Sequence, residues 1–221
     1  MCDSKGTMGK RDDNKKQRRA AALDAARTLL ADGGADALSM RRLASQSGLA
    51  VNTLYALFDS REGVLLAVIE DGIRATHLEL DADPAANALQ RCALLVERSV
   101  QSRIDAAAYV KPMYQALAAH IPEQDAGLRI AFDVTHRLFV QGRSEGWVRD
   151  DVDLVPFVEM LLRNFVDNAK RWALGHDDDN AFLRRAQHAM WLMWRAVATS
   201  EAMAEVDARL RLAEAELRRL R

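Results

Sequence analysis

Apolar side chains recur at intervals of three and four residues along almost the whole chain, and this spacing constrains the fold most strongly. In an α-helix such positions share one face, whereas a half-buried strand needs strict alternation, which no segment shows. Glycine (11) and proline (4) are also scarce among the 221 residues. In a helix interior glycine costs about 1 kcal/mol and proline about 3 kcal/mol relative to alanine. The sequence therefore predicts an all-α protein.

Helix-breaking residues divide this pattern into segments. Residues 1–14 are polar and unpatterned, so we expect a disordered tail there. Gly33 and Gly34 end the first predicted helix, because glycine accepts the left-handed conformation beyond a helix end. The predicted helices span residues 15–31, 39–46, 51–57, 61–79, 84–104, 122–142, 153–174, 178–198 and 201–221, with a break or restart at Pro112.

Charge is distributed unevenly along the chain. Residues 1–62 hold 11 Lys/Arg and 8 Asp/Glu, a net charge of +3, and the remainder has a net charge of -4. A modestly basic head on an acidic body is consistent with DNA binding by the head. The two cysteines, Cys2 and Cys92, are too few for a disulfide framework or a thiolate metal site. No apolar run approaches 18 residues, so we expect a cytoplasmic protein without a membrane span.

Motifs of enzymes are missing from the sequence. It contains no glycine-rich phosphate loop, no His-x-x-x-His metal pair and no nucleophile elbow. The Asp177-Asp178-Asp179 run lacks the spaced ligands and closing glutamate of a calcium loop, so we interpret it as capping of a helix N-terminus. The sequence therefore predicts a protein that is not an enzyme, with no metal site and no cofactor.

The segment from Ser39 to Glu62 predicts a helix-turn-helix, in which two short helices are joined by a tight turn containing glycine. Ala44 is small enough to let the two helices approach closely, and Gly48 suits a turn that a β-carbon resists. Leu54 then closes a shared apolar core. The outer face of residues 50–56 is left free to enter the major groove of DNA, which admits one helix. A plain helical hairpin inside a bundle would satisfy the same spacing.

Residues 48–62, Gly-Leu-Ala-Val-Asn-Thr-Leu-Tyr-Ala-Leu-Phe-Asp-Ser-Arg-Glu, resemble the signature of the TetR family of transcriptional regulators. That signature reads approximately Gly-Val-Ser-x-x-Thr-Leu-Tyr-x-His-Phe-x-Ser-Lys-Glu, and the resemblance extends over residues 15–70. Further matching positions upstream are Arg19, Leu23, Ala25, Ala26, Gly34, Leu43 and Ala44. Leu57 replaces the usual histidine, and residues 50–52 stand where relatives often carry polar, basic or glycine residues. The reading helix is therefore unusually apolar.

The resemblance implies that Thr53 and Tyr55 bond DNA phosphates, which positions a protein without conveying sequence. The amide of Asn52 can pair with the edge of adenine, and Val51 or Ala56 can contact the methyl group of thymine. The alternative for Tyr55 is a core tyrosine packed on Phe58. Basic residues complete the predicted DNA-binding set, each with a solvated surface charge as the alternative: Lys15, Arg18, Arg19, Arg41 and Arg42.

The resemblance further implies a DNA-binding domain over residues 15–60 and a helical effector-binding and dimerisation domain over residues 61–221. Aromatic residues and methionines are dense in the second part, where most would be core or interface residues and a few would line a ligand pocket. The predicted effector pocket consists of Tyr109, Met113, Tyr114, His136, Phe139 and Phe165, and His120 is a further residue that could orient a ligand.

The expected function is that of a homodimeric repressor that binds a palindromic double-stranded DNA operator and is released by a small-molecule effector. Two recognition helices must face half-sites roughly 34–36 Å apart, so the mechanism requires a dimer. We expect the helices over 153–174 and 178–198 to form the dimer interface. The C-terminal segment steps through Val206, Leu210, Ala213, Leu217 and Leu220 at heptad spacing. It could extend that interface, pack on its own subunit, or serve a protein-binding adaptor.

Overall fold

The structure, a computed structural model, describes residues 5–78, 86–117 and 126–220. These residues form ten α-helices and no strand, which confirms the predicted all-α class. The helices are α1 (Lys5–Ala37), α2 (Met40–Ser47), α3 (Val51–Phe58), α4 (Arg61–Leu78), α5 (Ala88–Asp105), α6 (Ala107–Leu117), α7 (Ala126–Ser144), α8 (Leu154–Ala173), α9 (Asp179–Val197) and α10 (Met203–Arg218).

Helix α1 begins ten residues before the predicted start at Lys15 and takes in most of the predicted tail. The charged residues of this segment are adequate helix formers, and a helix that is already nucleated adds one hydrogen bond for each further residue. At its other end the predicted stop is confirmed in the backbone. Gly33 (φ -144°, ψ 17°) and Gly34 (φ 66°, ψ -164°) leave the helical region, and a short helical stretch resumes up to Ala37.

Helices α1 to α4 pack around a core that the side chains of α2 and α3 complete. Leu30, Leu43 and Leu54 are fully buried there, and Phe58 is nearly so. This core continues without interruption into α6, the end of α8 and the beginning of α9, where it includes Trp172. The head of the molecule therefore shares its apolar interior with the body.

A second core holds α5, α7, α8, α9 and α10 together. The Phe139 ring stacks on Trp194, with 4.6 Å between the ring centroids, and meets the edge of Phe157 at 4.8 Å. Both Phe139 and Trp194 are fully buried. Helix α9 lies among α5, α8 and α10, so it forms the centre of this half of the molecule.

Two predicted helix boundaries differ from the observed ones. Asn87 caps α5, because its side chain accepts from the backbone N–H of Gln90 (2.9 Å) and the Gln90 side chain accepts from the backbone N–H of Asn87 (3.1 Å). The predicted start at Pro84 lies outside the described residues. The prediction of a break at Pro112 is wrong, because the chain turns at Ala106 (φ -97°, ψ 13°) and Pro112 lies inside α6. Packing of α6 on α1 and α8 compensates for the one backbone hydrogen bond that Pro112 cannot make. The predicted start at Pro122 also lies outside the described residues.

Helix α10 packs back on α9 of its own chain. Its heptad positions Val206, Leu210 and Ala213 are buried, and Arg195 of α9 binds Asp207 with 2.6 Å between Nε and Oδ1. Of the possibilities that the sequence leaves open, the structure shows packing on the same subunit. A protein-binding adaptor that used these heptad residues would need them exposed.

Among the described residues, no helix combines the length and the apolar composition that a membrane span requires.

Candidate nucleic-acid interface and ligand cavity

The connection between α2 and α3 has the geometry of a helix-turn-helix. Ser39 caps α2 by accepting a hydrogen bond from the backbone N–H of Arg42 (3.2 Å). Gly48 ends the same helix in the left-handed conformation at φ 69°, which glycine adopts without steric cost. Ala44 packs against the core that contains the fully buried Leu54. Gly48 therefore forms the turn of this motif, while Leu54 lies in its core and Ala44 at the edge of that core.

The outward face of α3 carries three of the four α3 residues that the sequence assigns to DNA. Asn52 is exposed, Thr53 is half-buried, and Tyr55 is 50% exposed. Val51 is also half-buried, but it packs against the core of the head. Tyr55 is thus not the core tyrosine of the alternative interpretation. Phe58, on which it would have packed, is instead covered by the guanidinium of Arg19, 5.1 Å from the ring centroid.

The basic residues of α1 fall into two groups. Lys15 and Arg18 line a surface groove together with Thr53, Ala56 and Leu57, so α1 and α3 present one continuous surface. Arg19 differs, because it also binds the carboxylate of Glu70 on α4 (3.4 Å) while it covers Phe58. The structure therefore brings Lys15 and Arg18 to the recognition helix and turns Arg19 towards the interior of the head.

Arg41 and Arg42 lie on the exposed face of α2. Neither forms an ion pair with any side chain in the described part of the chain. Both guanidinium groups are therefore available to phosphates or bases. Their backbone is held by the Ser39 cap and by the turn at Gly48.

Two further residues of the head act through the junction between α3 and α4, and the sequence reasoning did not single them out. Arg61 donates to the carbonyl oxygens of Leu38 (2.8 Å) and Ala35 (2.7 Å), which ties the start of α4 to the connection between α1 and α2. Gly63 lies against the end of α3, where an added Cβ would be 1.9 Å from the carbonyl oxygen of Phe58. The sequence Ser-Arg-Glu-Gly at residues 60–63 indicates the start of a helix, but it does not indicate either contact.

An apolar cavity of about 80 Å³ lies in the body of the molecule. Its walls come from α4 through α9, and Tyr114, Phe139 and Phe165 of the predicted effector pocket are among its lining residues. Burial raises the pKa of the Cys92 thiol in this wall to about 12, so the thiol is neutral at physiological pH. The cavity is thus lined by mainly uncharged side chains.

The other predicted pocket residues do not line this cavity. Tyr109 is half-buried beside α1, with the Arg27 guanidinium 6.0 Å from its ring centroid. Met113 is buried in the core shared by head and body. His136 stacks on Phe132, with 5.5 Å between the centroids. They share helices with lining residues, but helical rotation turns them elsewhere, and His120 lies outside the described residues.

Helix α4 connects the cavity to the head. Ile69, Ile73 and Thr76 in its second half form part of the cavity wall, and Arg61 at its first turn holds the α1–α2 connection. Between these ends, Asp71 binds the guanidinium of Arg27 on α1. Helix α4 therefore contacts both the cavity and the segment that leads into the helix-turn-helix.

The Asp177-Asp178-Asp179 run is more than a helix cap. Asp178 does cap α9, accepting from the N–H of Ala181 (2.7 Å), as predicted. Asp179 accepts the indole N–H of Trp172 (2.7 Å), so its carboxylate joins α9 to α8. Within the described residues no group of three or more potential metal ligands occurs.

Asp177 is buried and receives hydrogen bonds from Arg171 (3.0 Å) and Arg185 (3.2 Å). Burial by itself raises the pKa of this carboxyl, but the hydrogen bond from Arg171 and the charges of Arg185 and Arg171 outweigh burial. The pKa of Asp177 therefore lies below its ordinary value. The carboxylate joins the end of α8 to α9.

Comparison with known proteins identifies the head. Residues 22–68 match the family model described as "Bacterial regulatory proteins, tetR family". No curated protein matches the chain in sequence.

Solved structures share the architecture at low sequence identity. FadR of Thermus thermophilus, a TetR-family transcriptional repressor solved with lauroyl-CoA, aligns with a TM-score of 0.67 at 17% identity over 79% of this chain and 92% of that one. FadR of Bacillus subtilis, solved with stearoyl-CoA, gives 0.63 at 16% identity over 80% and 98%. SmeT, the repressor of a Stenotrophomonas maltophilia multidrug efflux pump, gives 0.55 at 17% identity over 83% and 92%. Residues 22–68 therefore form a TetR-family N-terminal domain, carried on a fold that this chain shares with solved TetR-family regulators.

Proposed function

We propose that the chain is a dimeric, ligand-responsive transcriptional repressor that binds a palindromic DNA operator through α2 and α3. The observation that carries the proposal is the exposed α3 face inside a segment that matches the TetR-family model. The solved structures that support it are those of transcriptional regulators, and two of these proteins are repressors. The proposed DNA-binding domain comprises residues 15–60, and residues 61–221 bind the effector and the second subunit.

In the proposed complex, Thr53 and Tyr55 bond phosphates from α3 while Lys15 and Arg18 reach the same backbone from α1. The shared groove of Lys15, Arg18 and Thr53 supports this arrangement. Asn52, exposed on α3, contacts the edge of a base, and Val51 contacts a thymine methyl group. Phosphate contacts fix the register of the protein, and base contacts supply the sequence preference.

Arg41 and Arg42 provide further phosphate contacts from the exposed face of α2 in this proposal. Each phosphate that a lysine or arginine neutralises releases counterions, so binding weakens as salt rises. Arg19 has a different role here, because its guanidinium already serves Phe58 and Glu70. It holds α1 against α3 and α4 and so positions the DNA-binding surface.

Dimerisation through α8 and α9 is supported by apolar side chains on their outer faces. Val155 and Met160 of α8 are 47% and 55% exposed, and Leu192 of α9 is 50% exposed. Burying such residues against the same residues of a second copy removes apolar area from water, and a two-fold axis would place both heads on one face of DNA.

Release from DNA follows from the position of α4. The cavity volume of about 80 Å³ is far below the roughly 300–1,000 Å³ of typical ligand sites, so a ligand of ordinary size fits only if the walls separate. Ile69 and Ile73 place α4 in that wall, and Arg61 carries its displacement to the head. A coupling of about 1–3 kcal/mol would weaken DNA binding roughly 5- to 150-fold.

The proposal is tested with the intergenic DNA beside the gene, using fluorescence anisotropy at several salt concentrations. Tyr55→Phe and Thr53→Ala should weaken binding to all DNA sequences and reduce its salt dependence, whereas Asn52→Ala should relax the preference at one base pair. Tyr109→Phe removes the same hydroxyl from a tyrosine outside α3 and should bind like the wild type. Unchanged operator binding in all three α3 variants would reject the assignments, and a strictly monomeric protein on DNA would reject the dimer.

A further inference from the structure

The cavity contains a single formally charged side chain among the described residues that line it. That residue is Arg103, in the last turn of α5. The remaining lining is mainly aliphatic, with leucine, isoleucine, valine, alanine and methionine side chains from five helices, and it includes no carboxylate. A cavity of this composition excludes most polar molecules and offers one fixed positive charge.

Arg103 is held in place without a carboxylate partner in the described part of the chain. One of its terminal nitrogens donates to the carbonyl oxygen of Ser99 (2.7 Å), and its guanidinium lies 4.8 Å from the centroid of the Phe165 ring. A guanidinium has five N–H donors, so most of them remain for another acceptor. Because Ser99 and Phe165 already restrict the side chain, less conformational entropy is lost when an anion binds.

Two hydroxyl groups in the same wall add to this polar end. Tyr114 and Thr135 line the cavity and are both about 4% exposed. A hydroxyl can donate one hydrogen bond and accept others. A ligand with acceptor atoms at this end of the cavity could therefore bind both hydroxyls as well as Arg103.

We propose that the effector is a mainly aliphatic molecule with one anionic group, and that Arg103 binds this group. This inference rests on the proposed ligand-responsive function and specifies its ligand. The aliphatic part lies along the Ile, Leu and Val side chains, and the anionic group accepts from the free donors of Arg103. A carboxylate fits the planar guanidinium with two parallel hydrogen bonds.

The proposal is tested by isothermal titration calorimetry of the full-length protein, without DNA, against dodecanoate, dodecan-1-ol and lauroyl-CoA. The alcohol matches dodecanoate in chain length but has no charge. Lauroyl-CoA distinguishes a free carboxylate from an anion carried on a phosphate-bearing thioester. We expect at least one of the two anionic ligands to bind on the order of tenfold or more tightly than the alcohol.

Two variants assign that preference to a residue. Arg103→Gln should weaken the anionic ligand by about tenfold or more and leave the alcohol nearly unaffected, because only the charge-assisted hydrogen bonds are lost. Arg137→Gln removes an exposed arginine of α7 that does not line the cavity and should bind like the wild type. Circular dichroism confirms that each variant folds.

Three results would overturn the inference. The first is that the alcohol binds as tightly as both anionic ligands, and the second is that Arg103→Gln binds the anionic ligand as tightly as the wild type. The third is that neither anionic ligand binds at millimolar concentration. Operator binding, measured separately by anisotropy, decides the proposed function. A protein that binds its operator but shows no preference for anions would refute only the ligand class. A protein that binds the anion through Arg103 but binds no DNA would refute the proposed repressor function.

Discussion

Replacing Gly63 with alanine should destabilise the head, although alanine is the better helix former. The new Cβ would lie 1.9 Å from the carbonyl oxygen of Phe58, whereas real Cβ contacts essentially never fall below 3.0 Å. The two atoms must therefore separate by roughly 1 Å. The position of a Cβ is fixed by its own backbone, and the carbonyl oxygen of Phe58 is a backbone atom, so no side-chain rotation relieves this contact.

The cost follows from what this separation disrupts. The N–H of Gly63 bonds Ser60 Oγ (3.0 Å), and the next two residues, Val64 and Leu65, are almost completely buried. One lost hydrogen bond costs about 1 kcal/mol, and imperfect repacking of a core typically costs about 1–3 kcal/mol. The gain in helix propensity of about 1 kcal/mol offsets part of this. We expect a net loss of about 1–3 kcal/mol.

Gly72 supplies the matched control, since it lies on the same helix and an added Cβ meets nothing within 4 Å. Gly72→Ala should gain about 1 kcal/mol from propensity alone. For a protein of this size each kcal/mol corresponds to about 2–4 °C in Tm. Thermal unfolding followed by circular dichroism should therefore move the two variants in opposite directions. A Gly63→Ala protein that melts at or above the wild-type temperature would refute the steric argument.

Three other predictions concern stability and are checked by urea unfolding. Arg61→Met keeps the aliphatic part of the side chain but loses two hydrogen bonds to carbonyl oxygens, so we expect the free energy of unfolding to fall by about 2–3 kcal/mol. An unchanged midpoint of urea unfolding would show that water replaces the guanidinium. Leu210→Ala should lower the free energy of unfolding by about 2–5 kcal/mol, because the Leu210 side chain is buried. Leu212 is 68% exposed, so Leu212→Ala should change this free energy by no more than about 0.5 kcal/mol. Equal effects of the two substitutions would contradict the packing of α10. Asp177→Asn should be less stable than the wild type at neutral pH. Because the pKa of Asp177 is lowered in the folded state, its contribution is complete above the unfolded value of about 4 and is lost as the pH falls through the folded value, so the difference between the two proteins should narrow below about pH 4. A constant difference at all pH values would mean that the charge of Asp177 is not involved.

The parts of the fold that the sequence predicts are those with local signals. Gly48 acts on residues within a few positions, and it takes the turn conformation that the sequence predicts. The class and order of the helices follow in the same way from spacing and breakers. Start positions are less predictable, as α1 shows, because helix propagation depends on neighbouring turns more than on any single residue.

Contacts between distant segments account for most of what the sequence does not reveal. Arg19 looks like other basic residues of α1, but its partner Glu70 lies 51 positions away and only folding brings them together. The residues next to Arg103 in the sequence do not indicate that its side chain lines a cavity. The predicted pocket residues are aromatic residues, a histidine and a methionine. Whether such a residue faces the cavity depends on its position around the helix, which separates Tyr114 from Met113.

The apolar interior that runs from Leu54 to Trp172 limits how this protein can be recombined with its relatives. Chimaeric regulators are made by exchanging DNA-reading heads between homologues, and the exchange works best where the two parts meet through few contacts. Here the crossover at residue 60 would cut through a shared interior, and α1 of the incoming head would have to match α6 of the recipient. A functional hybrid therefore requires that the α6 surface be transplanted together with the head.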